Sequence, residues 1–272
     1  MILQNKHIDT ITKESFLKDF DENGYVIVEA VYSNDFINTL LPELDIAKQK
    51  EAIINANNNY KADGTLLACP IYGGKFLDVL ENDFFFQPFN WILGDTCIIW
   101  VYTTSCLAPN SINSTSRIHV DRPHFIPNFN EGVGSLILLD DFTEENGATW
   151  FLPASHKSAE QPPEDFFYKN AKRLIAPKGS VFYFNLRMWH AGGSNTTNEW
   201  RNALGIGMIR PYYKQRIDLP RSMKDVDISG VSDIAKQKLG FFSQPPTSLD
   251  EYYKNGNSGV KLQPSEWEKP LK

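Results

Sequence analysis

Residues 177–184 read Pro177-Lys178-Gly179-Ser180-Val181-Phe182-Tyr183-Phe184. A Pro-x-Gly turn runs directly into β-branched and aromatic residues, which predicts a strand with a tight lead-in. The same texture recurs from about residue 95 onward. Short apolar runs at Cys97–Tyr102, Gly134–Leu139, Ala148–Leu152 and Ala203–Ile209 are separated by Pro109-Asn110, Glu145-Asn146-Gly147 and Gly192-Gly193. Strands at this spacing predict a β-sandwich or barrel.

Nearer the N-terminus the period changes. Residues 13–22 predict a short helix with Phe16, Leu17 and Phe20 on one side and Gly24 as its stop. Tyr25-Val26-Ile27-Val28 predicts a strand. Ser33 is a candidate N-cap for a helix through about Lys50, carrying Phe36, Ile37, Leu40 and Leu41 at helical spacing, with the polar stretch Asn55–Asn59 ending it. Helices precede strands, so the chain reads as α+β around one β core at about 95–212. Residues 213–272 are polar with apolar patches such as Leu239-Gly240-Phe241-Phe242, and are expected to wrap that core.

The 272 residues, 42% of them hydrophobic, suffice for one large core and exclude disorder, collagen and coiled coil. A formal charge of −6 argues against a general nucleic-acid binder. No apolar run is long enough to span a bilayer, and Met1–Thr10 lacks a secretory h-region. Cys69, Cys97 and Cys106 form no C-x-x-C pair and read as buried free thiols, which fits a reducing, cytoplasmic setting. The sequons at Asn113 and Asn195 are then chance matches. No feature reports the oligomeric state.

Chemistry enters with Arg117-Ile118-His119-Val120-Asp121. In an extended segment, residues i and i+2 share a face, so an imidazole and a carboxylate project together. Alone, His-x-Asp is a common surface pattern. His190 lies 71 residues downstream, after the predicted strand, in Met188-Trp189-His190-Ala191-Gly192-Gly193. Two histidines and a carboxylate with open positions suit a non-haem iron centre that activates oxygen, whereas structural zinc would recruit a fourth ligand, often cysteine. Arg201 opens the last apolar strand. Its planar fork can grip a carboxylate, and an arginine entering a β core needs an anionic partner. The simpler alternative is a surface pair with Glu199.

These pieces, in this order, resemble the phytanoyl-CoA dioxygenase family of Fe(II)/2-oxoglutarate-dependent oxygenases over residues 13–212. Phe20–Val28 is similar to the family's opening helix and strand. Leu139–Ala148 running to Leu152-Pro153-Ala154-Ser155-His156-Lys157 is similar to its central segment. His119-x-Asp121 matches the proximal metal motif, and Trp189-His190 through Arg201 the distal one. The resemblance implies a double-stranded β-helix, a jelly-roll or cupin-like core with N-terminal helices packed outside, in a single domain. It implies that His119, Asp121 and His190 hold Fe(II), and that Arg201 binds the distal carboxylate of 2-oxoglutarate. It implies O2-dependent oxidation of a small molecule or natural-product intermediate, with decarboxylation of the cosubstrate to succinate. No nucleic acid or membrane partner is implied. Asp121 favours hydroxylation over halogenation, since halogenating relatives carry a small residue there. Desaturation, epoxidation and cyclisation share the same first hydrogen abstraction. A non-catalytic binding module on the same fold, and a cupin-like enzyme that uses another metal ion and no cosubstrate, are the remaining alternatives.

Two positions depart from the family pattern: Gly192 stands where many members have a hydroxyl residue, and Arg117 where many have Gln. Thr104, Asn185 and Ser194 are candidate replacements for the missing cosubstrate contact. Arg122 and His124 could meet an anionic or polar substrate at the pocket mouth, with a place behind the metal site or on the surface as the simpler alternative, and Arg117 with Arg122 hints at a carboxylate-bearing substrate. His156 is expected to cap a loop, His7 to be solvated, and Glu144-Glu145 to form an exposed turn. Phe84-Phe85-Phe86, Phe89 and Trp91 are expected in the core, with a substrate pocket as the alternative. Trp100 and Tyr102 share a face at strict alternation, and Lys61–Gly74 has enough glycine for a lid.

Overall fold

The computed structural model describes residues 5–59, 64–112 and 114–254. The chain begins with β1 (Lys6–His7), α1 (Lys13–Asn23), β2 (Tyr25–Glu29) and α2 (Asn34–Asn57). Thr12 and Ser15 close a reciprocal capping box at the start of α1, and Gly24 ends it at φ +81°. The Ser33 hydroxyl accepts from Phe36 N–H and caps α2, as its sequence predicts. The helix runs beyond Lys50 because its buried stripe continues through polar residues: after Ile37, Leu40, Leu44 and Ala47 come Glu51 and Asn55. Glu51 is held there by the Tyr72 hydroxyl.

Next come α3 (Lys75–Asp78), α4 (Gln87–Leu93), β3 (Ile98–Thr104), β4 (Gly132–Leu138), β5 (Trp150–Phe151), α5 (Glu164–Asn170), β6 (Lys172–Arg173) and β7 (Val181–Asn185). The chain continues with β8 (His190–Ala191), β9 (Ala203–Ile209), α6 (Leu219–Ser222), α7 (Asp233–Leu239) and α8 (Leu249–Lys254). Six strands form one large sheet in the order β1-β2-β7-β4-β9-β3, and three form a small sheet, β6-β5-β8. All pairings are antiparallel except β1 with β2. The architecture is thus mixed α and β with a large, mainly antiparallel sheet. The core is wider than residues 95–212, because β1 and β2 enter the large sheet against β7. The whole of β7, Val-Phe-Tyr-Phe-Asn, is buried, as a central strand covered on both faces must be.

Alternation along the strands sorts residues onto two faces. Val181, Tyr183, Val133, Ile137, Leu204, Ile206 and Met208 join the helices in the main cluster. Phe182, Phe184, Leu138 and Ala203 face the other way and meet Phe151 of the small sheet. Phe85, Phe86 and Phe89 lie in the main cluster, so the aromatic run is core. A bulge between Ile99 and Val101 breaks the period of β3. Trp100 therefore packs on the inter-sheet side while Tyr102 sits in the main cluster, against strict alternation. Of the tail, residues 255–272 lie outside the described residues; in the rest, Leu219, Met223, Ala235 and Leu239 join the main cluster, and Gln215 Nε2 donates to Ile99 O at 2.8 Å and Leu239 O at 3.0 Å.

The three cysteines are free and buried. Residues 61–63 of the expected lid lie outside the described residues. The remainder is anchored: Leu66, Ala68 and Cys69 are buried, and Thr104 Oγ1 accepts from Leu66 N–H. No described helix is long and apolar enough to cross a membrane.

His156 ties the central loop to α1. Its Nδ1 would lie 2.4 Å from a Cβ at position 24, so only glycine fits there. Burial, helped by Lys157, pushes the His156 pKa down, against a bond to the Asp21 backbone. The folded imidazole stays neutral where the unfolded one, at about 6.5, already takes a proton. Stability therefore falls as pH drops below about 6.5, until the depressed folded value is reached. His156→Gln should flatten that part of the pH profile, read as urea midpoints at a series of pH values.

Candidate metal centre

Segment 117–121 and β8 are joined by a two-way bridge. His119 N–H donates to His190 O at 2.9 Å, and His190 N–H returns a bond to His119 O at 2.9 Å. Residues opposed in such a pair project to the same face. The other edge of β8 pairs with β5, setting Phe151 opposite His190. Beyond it, Trp189 N–H donates to Ser155 Oγ at 3.0 Å, and the Ser155 hydroxyl donates to Leu152 O at 2.6 Å. Asp121 N–H is fixed on Leu186 O at 3.0 Å. Each part of the constellation is thus held by backbone bonds.

The two imidazoles lie 4.2 Å apart by ring centroids, and the Phe184 edge packs on His190 at 5.5 Å. His119 Nδ1 bonds Arg117 O at 2.8 Å, and His190 Nδ1 bonds Met188 O at 2.9 Å. Bonding Nδ1–H to a carbonyl leaves Nε2 as the bare nitrogen, the form that ligates a metal. Asp121 Oδ1 lies 3.9 Å from His119 Nε2 and 3.8 Å from His190 Nε2. These separations are too long for hydrogen bonds. All three ligand atoms fall within 4.8 Å of one another, so one cation can touch all three. Burial, then the charge of His190, push the His119 pKa down, which favours the neutral ligand. Two imidazoles and one carboxylate grouped around a common point fit a non-haem iron ion.

Arg201 is 2% exposed, not a surface partner of Glu199. Backbone bonds with Leu107 in both directions fix its position. Its Nη1 donates to Gly147 O at 3.0 Å and its Nη2 to Ser105 O at 3.1 Å, while the guanidinium lies 4.5 Å over the Phe142 ring. Nε has no partner among the described residues. These acceptors are neutral, and burial pushes the pKa down to about 10, with Cys106 and Asp140 opposing. The side chain is a dry cation without a contacting carboxylate among the described residues, which fits an anionic ligand.

The other candidates separate clearly. Thr104 points to the main cluster side and bonds Gly64 O and Leu66 N. Asn185 is committed to Asn130 and Arg187, and Ser194 is exposed. The hydroxyl nearest the Arg201 fork is that of Ser105, 3.4 Å from Nη2, which the sequence pattern did not single out. Arg122 is paired with Glu131, and Arg117 and His124 are exposed. The basic hint at a carboxylate substrate therefore loses Arg122. Ser155, Glu131 and Arg187 were also missed. Each acts through backbone or a distant partner, and leaves no spacing signal.

The sequence profile of phytanoyl-CoA dioxygenase (PhyH) matches residues 20–203, a span that includes both histidines, Asp121 and Arg201. The chain belongs to the phytanoyl-CoA dioxygenase family. It is accordingly an iron-dependent oxygenase. Within curated proteins it is similar to an uncharacterized protein of Mycobacterium tuberculosis, 30% identical over 195 residues, covering 70% of this chain and 71% of that one. It is also similar to dioxygenase trt7 of Aspergillus terreus, 21% identical over 260 residues and 85% of each chain. Of solved structures, HygX from Streptomyces hygroscopicus, with nickel and 2-oxoglutarate bound, aligns at TM-score 0.58 and 15% identity over 76% of this chain and 89% of that one. The nickel complex of the non-heme monooxygenase ThoJ aligns at 0.60 and 16% identity over 74% and 80%. These structural likenesses concern the fold.

Ser155→Ala removes the hydroxyl that serves two buried backbone groups ahead of His190. A loss of about 1–3 kcal/mol is expected in urea unfolding. Divalent-ion affinity should fall roughly 10–100-fold in isothermal titration, as for other groups that orient a ligand.

Proposed function

We propose that the protein is an Fe(II)- and 2-oxoglutarate-dependent oxygenase that hydroxylates a small organic molecule, built as a single domain on a double-stranded β-helix. The observation that carries the cosubstrate is Arg201, a buried guanidinium with no contacting carboxylate among the described residues, stacked on Phe142 of the inter-sheet cluster that also walls His190. A diacid suits both ends of such a site. Its keto-acid end can chelate the metal, and its distal carboxylate can take a charge-assisted bond from Arg201. The 2-oxoglutarate bound to HygX supports this reading.

In this assignment His119, Asp121 and His190 hold Fe(II), and Arg201 orients the cosubstrate. Bound iron, with 2-oxoglutarate and O2, supplies the oxidising chemistry and yields succinate and CO2. The chain's own residues prepare the site. The Arg117 and Met188 carbonyls keep both imidazoles as Nε2 donors. Phe184 and Phe151 keep water from the inter-sheet side of His190, and Phe142 does so for Arg201. A dry setting strengthens every charge contact made there. Asp121 as third ligand supports hydroxylation over halogenation. Desaturation, epoxidation or cyclisation by the same first step would use the same residues.

Anaerobic Fe(II) with 2-oxoglutarate should give a weak visible charge-transfer band, and His190→Ala should abolish it. Arg201→Ala should weaken 2-oxoglutarate binding by about 2–5 kcal/mol, as for a buried charge pair that loses one partner. Full turnover without 2-oxoglutarate, or unchanged cosubstrate affinity in Arg201→Ala, would contradict the assignment.

A further inference from the structure

The chain leaving Asp121 forms a loop whose two ends are tied together. Arg122, the residue after the candidate ligand, makes an ion pair with Glu131, which is 7% exposed. The Arg122 guanidinium also lies 5.3 Å from the Trp100 ring and 5.5 Å from the Tyr213 ring. Trp100 packs on the inter-sheet cluster, so this pair sits on the same side of the large sheet as His190. Two further ties brace the stem. Arg187 Nη1 donates to Pro123 O at 2.9 Å while its Nη2 reaches Ser158 O at 2.9 Å. Asn185 Nδ2 donates to Asn130 Oδ1 at 2.8 Å.

Held at its base, the loop presents an apolar tip. Ile126 is exposed, and Phe125 and Phe129 are partly so. The arginines in contact with it are engaged, Arg122 with Glu131, Arg187 with carbonyls and the Phe125 ring, and Arg210 with Leu93 O and the Phe129 ring, while His124 on the loop itself is exposed. A charge already neutralised by a buried carboxylate offers little to an incoming anion. Without Glu131 the same guanidinium would sit free beside two aromatic rings, one residue from the metal site.

Resting on the iron and 2-oxoglutarate assignment above, we propose that the Arg122–Glu131 pair makes the rim of the metal centre selective for uncharged substrates, whose apolar body meets Phe125, Ile126 and Phe129. Glu131 is a specificity-determining residue that acts by masking Arg122.

Two probes matched in shape and different in charge test this: cyclohexylmethanol and cyclohexanecarboxylate. Each is added to protein loaded with Mn(II) and saturating 2-oxoglutarate, and paramagnetic broadening of the probe protons is read by NMR. The alcohol should broaden more than the carboxylate in the unaltered protein. Glu131→Gln should raise the carboxylate signal about three- to fivefold, the range of one screened charge contact, and leave the alcohol's unchanged. The double variant Arg122→Gln/Glu131→Gln should return the carboxylate to its original level. Ile126→Ser, at an exposed position, should reduce alcohol broadening with the cosubstrate signal intact, and it keeps the test decisive if Glu131→Gln does not fold. Stronger broadening of the carboxylate in the unaltered protein, an unchanged ratio in Glu131→Gln, or an unaffected alcohol signal in Ile126→Ser would overturn the proposal. If the 2-oxoglutarate protons themselves are not broadened, it is the cosubstrate assignment that fails.

Discussion

The two reciprocal hydrogen bonds between His119 and His190 are the constraint on which the site depends. They align backbones 71 residues apart, put both imidazoles on one face, and set Asp121 within reach of both. Neither strand alone could do this, because each segment is short and pairs weakly. β8 is only two residues long and is stabilised from both edges, by β5 on one side and by segment 117–121 on the other. Ser155 and Leu186 extend that support to Trp189 and Asp121. Local precision is thus obtained from backbone geometry, which does not vary with side-chain rotamers.

Arg201 poses a different energetic problem. An ion in the interior costs several kcal/mol in lost solvation even when its hydrogen bonds are made. Carbonyls of Gly147 and Ser105 and the face of Phe142 reduce that cost without neutralising the charge. The position is held from behind: Asp140 accepts from Asn202 N–H and Nδ2, and Lys48 of α2 donates to Asn202 Oδ1 at 2.8 Å. This bracing keeps the guanidinium where an anion can repay its burial. It also links α2 to the Arg201 position, so the outer layer braces that side chain as well as covering the sheet.

Much of this was legible in the sequence. The i, i+2 spacing of His119 and Asp121 and the position of His190 after an apolar strand correspond to the observed cluster, and Arg201 is buried just ahead of the last strand. The strands at 181–185 and 203–209 carry unambiguous apolar runs. What was hidden depends on pairing at long range or on local irregularity. The β2–β7 ladder brings a 25–29 segment into a sheet formed mostly after residue 95. The bulge at Trp100 reverses the expected partnership with Tyr102. Glu51 and Asn55 disguise the last turns of α2 as solvent-facing. The partner of Arg122 was hidden because its carboxylate lies nine residues on, across a loop.

The most direct measurement is anomalous X-ray diffraction at the iron edge on crystals grown anaerobically with Fe(II) and 2-oxoglutarate. The expected result is one iron peak in contact with His119 Nε2, Asp121 and His190 Nε2, with the cosubstrate's far carboxylate on Arg201. Iron bound elsewhere, or a fully formed centre whose diacid does not reach Arg201, would contradict the assignment.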